Sequence, residues 1–200
     1  MAYHGYIPLI HEFLKEFETP KVLEIGVWTG VTTFSLLHRL SITHKKFEYT
    51  GIDVNIRADV VETLKYMGIP TQCYSLIEEN SLEQLDKMSG KFDVILIDGD
   101  HNYPTVKREL QKIIDFCHNE TMIICDDYHG KWSDKDLYYG EREEYAQNFK
   151  TTQRIDEGKQ GVRPAVDEFL EAHPNWFGIT FVKGEPLVLL CKESKFIEMR

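Results

Sequence analysis

The sequence predicts an α/β fold: a doubly wound, mostly parallel sheet of seven strands, with helices on both faces and a C-terminal antiparallel hairpin. Short apolar runs alternate with amphipathic helical segments along most of the chain, as in doubly wound sheets. The runs VILID and MIICD, which end at Asp98 and Asp126, are apolar at nearly every position, which is typical of strands buried on both faces. The last two runs are joined only by residues 183–185, a link too short for a parallel crossover.

The elements follow one another in a βαβα order. Strands are predicted at residues 21–25, 47–53, 71–75, 92–98, 121–126, 177–182 and 186–191. Helices are predicted at residues 31–40, 58–67, 81–88, 105–117 and 162–172, and a further helix at 7–17 is expected to pack on the sheet. Ser81 and Gln84 form the pattern of a capping box, which predicts the start of the helix at 81–88.

Length and composition indicate one globular domain that spans residues 1–200. Apolar residues make up 42% of the chain, which is enough for a core. The 33 acidic residues outnumber the 23 Lys and Arg, and the net charge of −10 argues against a nucleic-acid partner. We find no apolar stretch long enough for a membrane helix and no signal-peptide pattern, and the four cysteines form no CxxC pair. A reduced, cytoplasmic chain with no membrane partner is therefore expected.

Residues 133–160 differ from the predicted core. They are polar, mixed in charge, and contain Tyr138, Tyr139 and Tyr145. An insertion of this length without core character is usually a functional lid or a flexible loop. We favour a lid because the insertion closely follows the acidic end of the fifth predicted strand.

Glycines and an acid follow the first two strands at the edge where open α/β sheets bind ligands. Gly26 and Gly30 bracket the turn after the first strand, and glycine there allows positive φ and a close approach to a ligand. Asp53 ends the second strand, 23 residues after Gly30. An acid at about this distance from a glycine turn is well placed to accept hydrogen bonds from ribose hydroxyls.

More acids follow the fourth and fifth strands. The fourth ends in DGDH, residues 98–101, and the fifth ends in Asp126 and Asp127. If the fourth and fifth strands are neighbours, the carboxylates of Asp98, Asp126 and Asp127 would lie close together. Each would then raise the pKa of the others unless a cation compensates. Oxygen ligands suit Mg²⁺, Ca²⁺ or Mn²⁺ better than zinc. The spacing alone is equally compatible with helix caps and surface charge.

These motifs resemble class I S-adenosylmethionine-dependent methyltransferases. The resemblance covers residues 20–130 well and 161–191 moderately. It is carried by VLEIGVWTGVTT, GIDVN and FDVILIDGDHNYPTVKREL. DGDHNY with CDDY and GVRPAVDEFL is similar to O-methyltransferases of macrolide and aminocoumarin sugars, and the acid pattern resembles cation-dependent catechol and caffeoyl-CoA methyltransferases. It implies a Rossmann-like methyltransferase fold, S-adenosylmethionine, Mg²⁺, a hydroxylated small-molecule acceptor and a homo-oligomer.

The resemblance also implies a cofactor site. Gly26 and Gly30 would border the methionine part of S-adenosylmethionine, with Glu24 near its amino end. Asp53 would hold the ribose hydroxyls. Asn80 and Ser81 match the segment that contacts adenine.

The resemblance further implies a metal site and a base. Asp98, Asp126 and Asp127 match the metal ligands, and Asp98 would also border the cofactor. The base is either Asp100, as in the sugar methyltransferases, or His101, which lies nearer the catechol-type position. The metal would lower the pKa of the acceptor hydroxyl, and the base would accept its proton.

One position departs from the family pattern, because Trp28 stands where many members have glycine. We expect the indole of Trp28 to pack against the protein rather than to shape the pocket.

Three functions other than methyl transfer to a small molecule fit parts of the sequence. A nicotinamide-dependent oxidoreductase uses similar geometry, but GVWTGV lacks two glycines of its turn. A non-catalytic cofactor-binding domain would not require acids after three strands. A nucleic-acid methyltransferase is disfavoured by the negative charge and by the lack of Asn-Pro-Pro-Tyr and Pro-Cys signatures.

Overall fold

Six helices and seven strands are present in the computed structural model, which describes residues 6–180 and 188–192. The strands are β1 (Lys21–Ile25), β2 (Glu48–Asp53), β3 (Tyr74–Glu78), β4 (Phe92–Ile97), β5 (Cys117–Cys125), β6 (Trp176–Ile179) and β7 (Val188–Lys192). The helices are α1 (Ile7–Leu14), α2 (Val31–Thr43), α3 (Ala58–Tyr66), α4 (Ser81–Leu85), α5 (Tyr103–Ile113) and α6 (Val162–Ala172). None of the described helices is long and apolar enough to cross a membrane.

The sheet order is β3-β2-β1-β4-β5-β7-β6. The strands from β3 to β5 run parallel, and β7 pairs antiparallel with both β5 and β6. The α/β fold with a parallel sheet is confirmed. Because the chain order reverses between β1 and β4, the carboxyl ends of these two strands form the crevice where such sheets bind ligands.

The core lies on both faces of the sheet. Alternate residues of β4 belong to opposite clusters: Ile95 packs with α5 and α6, whereas Leu96 packs with α1 and α2. Every residue of β4 is buried. The continuous apolar run therefore reflects burial on two faces, as predicted.

Some predicted boundaries were wrong. The third strand begins at Tyr74 rather than residue 71, because Thr71–Cys73 forms a 3₁₀ turn and pairing with β2 starts only at Tyr74. The helix predicted at 105–117 spans Tyr103–Ile113, and β5 already begins at Cys117. The strand predicted at 177–182 is described only as far as Ile179 and Thr180, and residues 181–187 lie outside the described residues.

The predicted capping box at the start of α4 was also wrong. The cap is Asn80, whose Oδ1 accepts hydrogen bonds from the backbone N–H groups of Leu82 (3.0 Å) and Glu83 (3.4 Å). Ser81 Oγ instead donates to Glu109 Oε1 at 2.5 Å. The helix ends at Leu85, shorter than predicted.

Candidate active site

The turn after β1 crosses over the ends of the neighbouring strands. Gly26 has φ +93°, and its N–H donates to the carbonyl of Ile52 at 2.8 Å. A Cβ on Gly26 would lie 2.1 Å from the carbonyl oxygen of Asp98. The chain therefore requires glycine where β1 approaches the end of β4.

The carboxylate of Asp53 holds this turn in place. Its Oδ2 accepts hydrogen bonds from the backbone N–H groups of Val27 and Trp28, both at 2.8 Å. Its Oδ1 accepts from the N–H of Asn55 at 2.9 Å. Asp53 thus shapes the glycine turn, and its predicted ribose contact would use the remaining lone pairs of the same carboxylate.

Trp28 does not pack as expected. Its residue surface is 62% exposed, and it lines the pocket beside the turn. Its φ of +45° lies in the left-handed region, which strains a residue with a Cβ. The packing interpretation was therefore wrong, and Trp28 contributes to the wall of the pocket.

A pocket lies at the crevice between β1 and β4. Its empty space is about 560 Å³, part of which is open to solvent. It is lined by the β1 turn, the ends of β2 and β4, the start of α4 and part of the insertion 133–160. The predicted residues found in this lining are Gly26, Asp53, Asn80, Ser81, Asp98 and Asp100. The predicted residues that are not among the described lining residues are Glu24, Gly30, His101, Asp126 and Asp127.

Glu24 lies inside the sheet rather than on the pocket. It is 1% exposed, and its Oε2 accepts hydrogen bonds from the hydroxyls of Thr33 (2.7 Å) and Tyr49. Burial raises the pKa of Glu24 to about 8. Its carboxyl group therefore joins β1 to α2 and β2. Glu24 is not among the described residues that line the pocket.

Glu109 on α5 is a buried acid that the sequence did not indicate. It is fully buried, and its Oε2 has no hydrogen-bond partner among the described residues. Burial raises the pKa of Glu109 to about 8. Ser81 lines the pocket and donates a hydrogen bond to Glu109, so Glu109 holds this part of the pocket wall in place.

The raised pKa of Glu109 predicts a pH-dependent stability. The folded pKa lies above the ordinary value of 4.5, so the stability that neutral Glu109 contributes is complete below pH 4.5 and is lost as the pH rises towards 8. Glu109→Gln cannot ionise. We expect its free energy of unfolding, relative to the wild type, to increase by about 3 kcal/mol between pH 5 and 8 in urea unfolding.

Glu168→Gln is the control for this measurement. The hydrogen bond from Lys159 lowers the pKa of Glu168 to about 2, so its contribution is lost only as the pH falls below 4.5. The difference between Glu168→Gln and the wild type should stay constant between pH 5 and 8. A constant difference for Glu109→Gln would contradict the prediction.

Three acids and a histidine form an acidic cluster beside the pocket: Asp98, Asp126, Asp127 and His101. Asp98, His101 and Asp126 each offer a ligand atom, and these atoms lie within 4.8 Å of one another. His101 Nε2 is 3.7 Å from Asp98 Oδ1, and His101 Nδ1 is 3.6 Å from Asp127 Oδ2. Asp98 and Asp126 therefore lie together with His101, whereas Asp127, the third predicted ligand, is outside this group of three and faces His101.

The electrostatics of this cluster favour a cation. Burial and the charge of Asp126 raise the pKa of Asp98. Burial, and the charge of Asp127, raise the pKa of Asp126. Asp126 is 9% exposed, and its Oδ1 has no hydrogen-bond partner among the described residues. A divalent ion would supply the missing partner and relieve the repulsion, and carboxylate and imidazole groups are suitable ligands.

Asp100 faces the pocket while His101 does not. Asp100 Oδ1 accepts a hydrogen bond from the N–H of Tyr139 at 3.2 Å, and burial raises the pKa of Asp100. His101 is 7% exposed, and its backbone carbonyl accepts from the N–H of Leu137 at 3.1 Å. Of the two candidate bases, Asp100 has the better access to a bound ligand.

The insertion 133–160 lies across the pocket. Its Tyr139, Tyr145, Thr151 and Thr152 line the cavity. Tyr139 and Tyr145 pack edge to face, with ring centroids 5.4 Å apart. The sequence drew attention to the tyrosines but did not assign these four residues to the pocket.

Long-range hydrogen bonds fasten the insertion to the sheet edge. Asn148 Nδ2 donates to the carbonyl of Val54, and Asn80 Nδ2 donates to the carbonyl of Lys150, both at 2.8 Å. Lys150 Nζ donates to the carbonyl and to Oε1 of Glu78, both at 2.9 Å. The insertion therefore reaches from the end of β5 to the ends of β2 and β3.

Comparison with known proteins identifies the class to which this fold and pocket belong. Residues 23–128, more than half of the chain, match the family model described as a methyltransferase domain. The chain therefore belongs to the methyltransferase-domain family, and it is a methyltransferase. The nicotinamide-dependent alternative is not supported. No curated protein matches the chain.

Solved structures share the fold. A proposed caffeoyl-CoA O-methyltransferase from Staphylococcus aureus is 18% identical, with a TM-score of 0.66 over 96% of this chain and 85% of the other. The S-adenosylhomocysteine-bound methyltransferase PaMTH1 from Podospora anserina is 17% identical, with a TM-score of 0.61 over 96% and 80% of the chains. An rRNA methylase from Streptococcus thermophilus is 16% identical, with a TM-score of 0.57 over 92% and 94%.

Proposed function

We propose that this methyltransferase transfers the methyl group of S-adenosylmethionine to a hydroxyl oxygen of a small molecule, with a divalent cation at Asp98 and Asp126. One observation carries the proposal: Asp98 belongs both to the lining of the pocket and to the acidic cluster. A methyl donor in the pocket and an acceptor at the cluster would therefore meet at Asp98.

The residues of the pocket would bind and orient the donor. Gly26 lets the turn after β1 approach the end of β4 beside the pocket, and Asp53 is suited to the ribose hydroxyls. Asn80 and Ser81 are proposed to contact adenine. Glu24 would act indirectly, because its carboxyl group is turned to Thr33 and Tyr49 and holds the strand that carries the turn.

The reaction needs an oxygen in line with the methyl group and a group that removes its proton. S-adenosylmethionine supplies an electrophilic methyl on sulfur, and a bound cation lowers the pKa of the acceptor hydroxyl. Asp100 is proposed to accept the hydroxyl proton as the oxygen–carbon bond forms and the sulfur–carbon bond breaks, leaving S-adenosylhomocysteine. Holding the two reactants in line accounts for much of the rate.

The insertion 133–160 is proposed to act as a lid on a single domain. Tyr139 and Tyr145 line the pocket, and the hydrogen bonds of Asn148 and Lys150 hold the insertion against the ends of β2 and β3. A closed lid would exclude water from the methyl donor.

A small-molecule acceptor is favoured over RNA, although the fold also occurs in an rRNA methylase. The net charge of −10 opposes binding to a phosphate backbone. A cytoplasmic location, Mg²⁺ as the ion and a homo-oligomer remain predictions.

The proposal is tested in two steps. Calorimetry should show binding of S-adenosylmethionine and S-adenosylhomocysteine but not of NAD⁺ or NADH. A panel of phenols, sugars and other hydroxylated compounds should then yield a methylated product that is lost with EDTA and restored with Mg²⁺ or Mn²⁺. Full turnover in EDTA would refute the cation, and binding without turnover over the whole panel would favour a non-catalytic domain.

A further inference from the structure

The imidazole of His101 is held between two carboxylates. Nε2 faces Asp98 Oδ1 at 3.7 Å, and Nδ1 faces Asp127 Oδ2 at 3.6 Å. The His101 side chain is only 8% exposed. His101 is not among the described residues that line the pocket, whereas Asp100, the other candidate base, is.

The ring belongs to a group of possible ligand atoms, and Nε2 is the nitrogen that faces Asp98 in this group. Atoms of Asp98, His101 and Asp126 lie within 4.8 Å of one another. Ligand atoms about 2.1 Å from a shared ion can be at most about 4.2 Å apart, so small side-chain movements would close the group around an ion. Oδ1 of the buried Asp126 has no hydrogen-bond partner in the part of the chain that the structure describes, and this independently indicates a missing partner at this point.

The Nδ1 side of the ring faces a carboxylate whose position is constrained. Asp127 has φ +58°, which turns the chain sharply after β5. A Cβ on Gly130 would lie 1.7 Å from Asp127 Oδ1, so this oxygen occupies space that only glycine leaves free. The other oxygen, Oδ2, is the one that faces His101.

We infer that His101 coordinates the cation through Nε2 and that Asp127 orients the imidazole through Nδ1 instead of binding the ion. This inference rests on the proposed cation, and it changes the predicted roles of two residues: His101 as a base and Asp127 as a ligand. A carboxylate that accepts the second ring N–H of a metal-bound histidine fixes the tautomer and orientation of the ring.

The inferred ligand set of two carboxylates and one imidazole has a consequence for ion preference. Mg²⁺ favours a set made only of oxygens, whereas Mn²⁺ accepts carboxylate oxygens and, as a first-row transition metal, also an imidazole nitrogen. We therefore expect Mn²⁺ to bind at least about tenfold more tightly than Mg²⁺.

The test is electron paramagnetic resonance of Mn²⁺ bound to the full chain. Electron spin echo modulation should detect one histidine nitrogen coupled to Mn²⁺ in the wild type, and labelling histidine with ¹⁵N should shift that signal. His101→Ala should remove the coupling and weaken Mn²⁺ binding by at least about tenfold. Asp127→Asn should keep the coupling and weaken binding by about 10- to 100-fold, the range found for groups that orient ligands.

His118→Ala is the matched control. His118 also pairs with an acid, since its Nε2 lies 2.9 Å from Asp93 Oδ1, but the pair lies at the opposite end of β4 and β5. This variant should keep both the nitrogen coupling and the Mn²⁺ affinity. S-adenosylhomocysteine binding reports folding in every variant, and the labelled wild type decides the question even where a variant does not fold.

Two results would overturn the inference. Mn²⁺ bound to the wild type without nitrogen coupling would refute coordination by His101 while leaving cation-dependent transfer intact. A wild type that binds S-adenosylhomocysteine but no Mn²⁺ would refute the inference together with the proposed cation, and methyl transfer in EDTA would then show that the transferase activity itself stands.

Discussion

Replacing Asp126 with Asn should abolish cation-dependent methyl transfer and leave S-adenosylhomocysteine binding close to the wild-type level. Asp126 belongs to the acidic cluster but is not among the described residues that line the pocket. The substitution therefore removes a charged ligand without altering the cofactor wall. Polarisation by a bound ion contributes several kcal/mol, so turnover should fall by at least about a hundredfold.

The same substitution should stabilise the metal-free protein. The charge of Asp126 contributes to the raised pKa of Asp98, which is the signature of like-charge repulsion. Removing one charge should therefore raise the free energy of unfolding, measured in urea with EDTA present. Lost activity combined with gained stability distinguishes a ligand from a residue that merely supports the fold.

Asp98→Asn and Asp93→Asn are the comparisons for Asp126→Asn. Asp98 lines the pocket as well as the cluster, so Asp98→Asn should weaken S-adenosylhomocysteine binding as well as turnover. Asp93 is buried on the same sheet, but its Oδ2 accepts from the N–H of Lys21 (2.6 Å) at the opposite strand end, so Asp93→Asn should keep cation dependence. Unchanged turnover in Asp126→Asn would remove Asp126 from the site.

The central strands and the strand-end residues could be predicted because their determinants are local. A strand buried on both faces is apolar throughout, so β4 and β5 were recognisable in sequence. β3 lies at the sheet edge, where its residues are only partly buried, and its pattern was too weak to set its start. The rule that ligands bind at carboxyl strand ends brought Gly26, Asp53 and Asp98 to one pocket.

The path of the insertion and the orientation of the Glu24 and Trp28 side chains could not be predicted, because they depend on contacts between residues far apart in the sequence. Asn148 reaches Val54, 94 positions away, so the path of the insertion across the pocket has no local signal. The carboxylate of Glu24 could accept hydrogen bonds from a ligand. In the structure it accepts them from the buried hydroxyls of Tyr49 and Thr33 instead. Trp28 carries an apolar side chain whose packing cannot be inferred from its type, because the turn directs it outward.

Gly26→Ala should destabilise the protein by more than about 3 kcal/mol and abolish S-adenosylhomocysteine binding. At φ +93° an alanine is strained by about 1 kcal/mol, and its Cβ would lie 2.1 Å from the carbonyl oxygen of Asp98. This oxygen belongs to the backbone, so the clash requires β1 and β4 to separate at the crevice. The displaced segments are the ones that line the pocket, so stability and binding should be lost together.

Gly68→Ala separates strain from the clash. Gly68 also has a left-handed φ, of +69°, but apart from its chain neighbours no described residue has an atom within 4 Å of the position of its Cβ. Gly68→Ala should therefore lose only about 1 kcal/mol in urea unfolding and bind S-adenosylhomocysteine normally in calorimetry. If the two variants lost equal stability, the close approach of the turn after β1 to the end of β4 would not be what requires glycine at position 26. If Gly26→Ala lost stability but kept its affinity for S-adenosylhomocysteine, the crevice between β1 and β4 would not be the cofactor site.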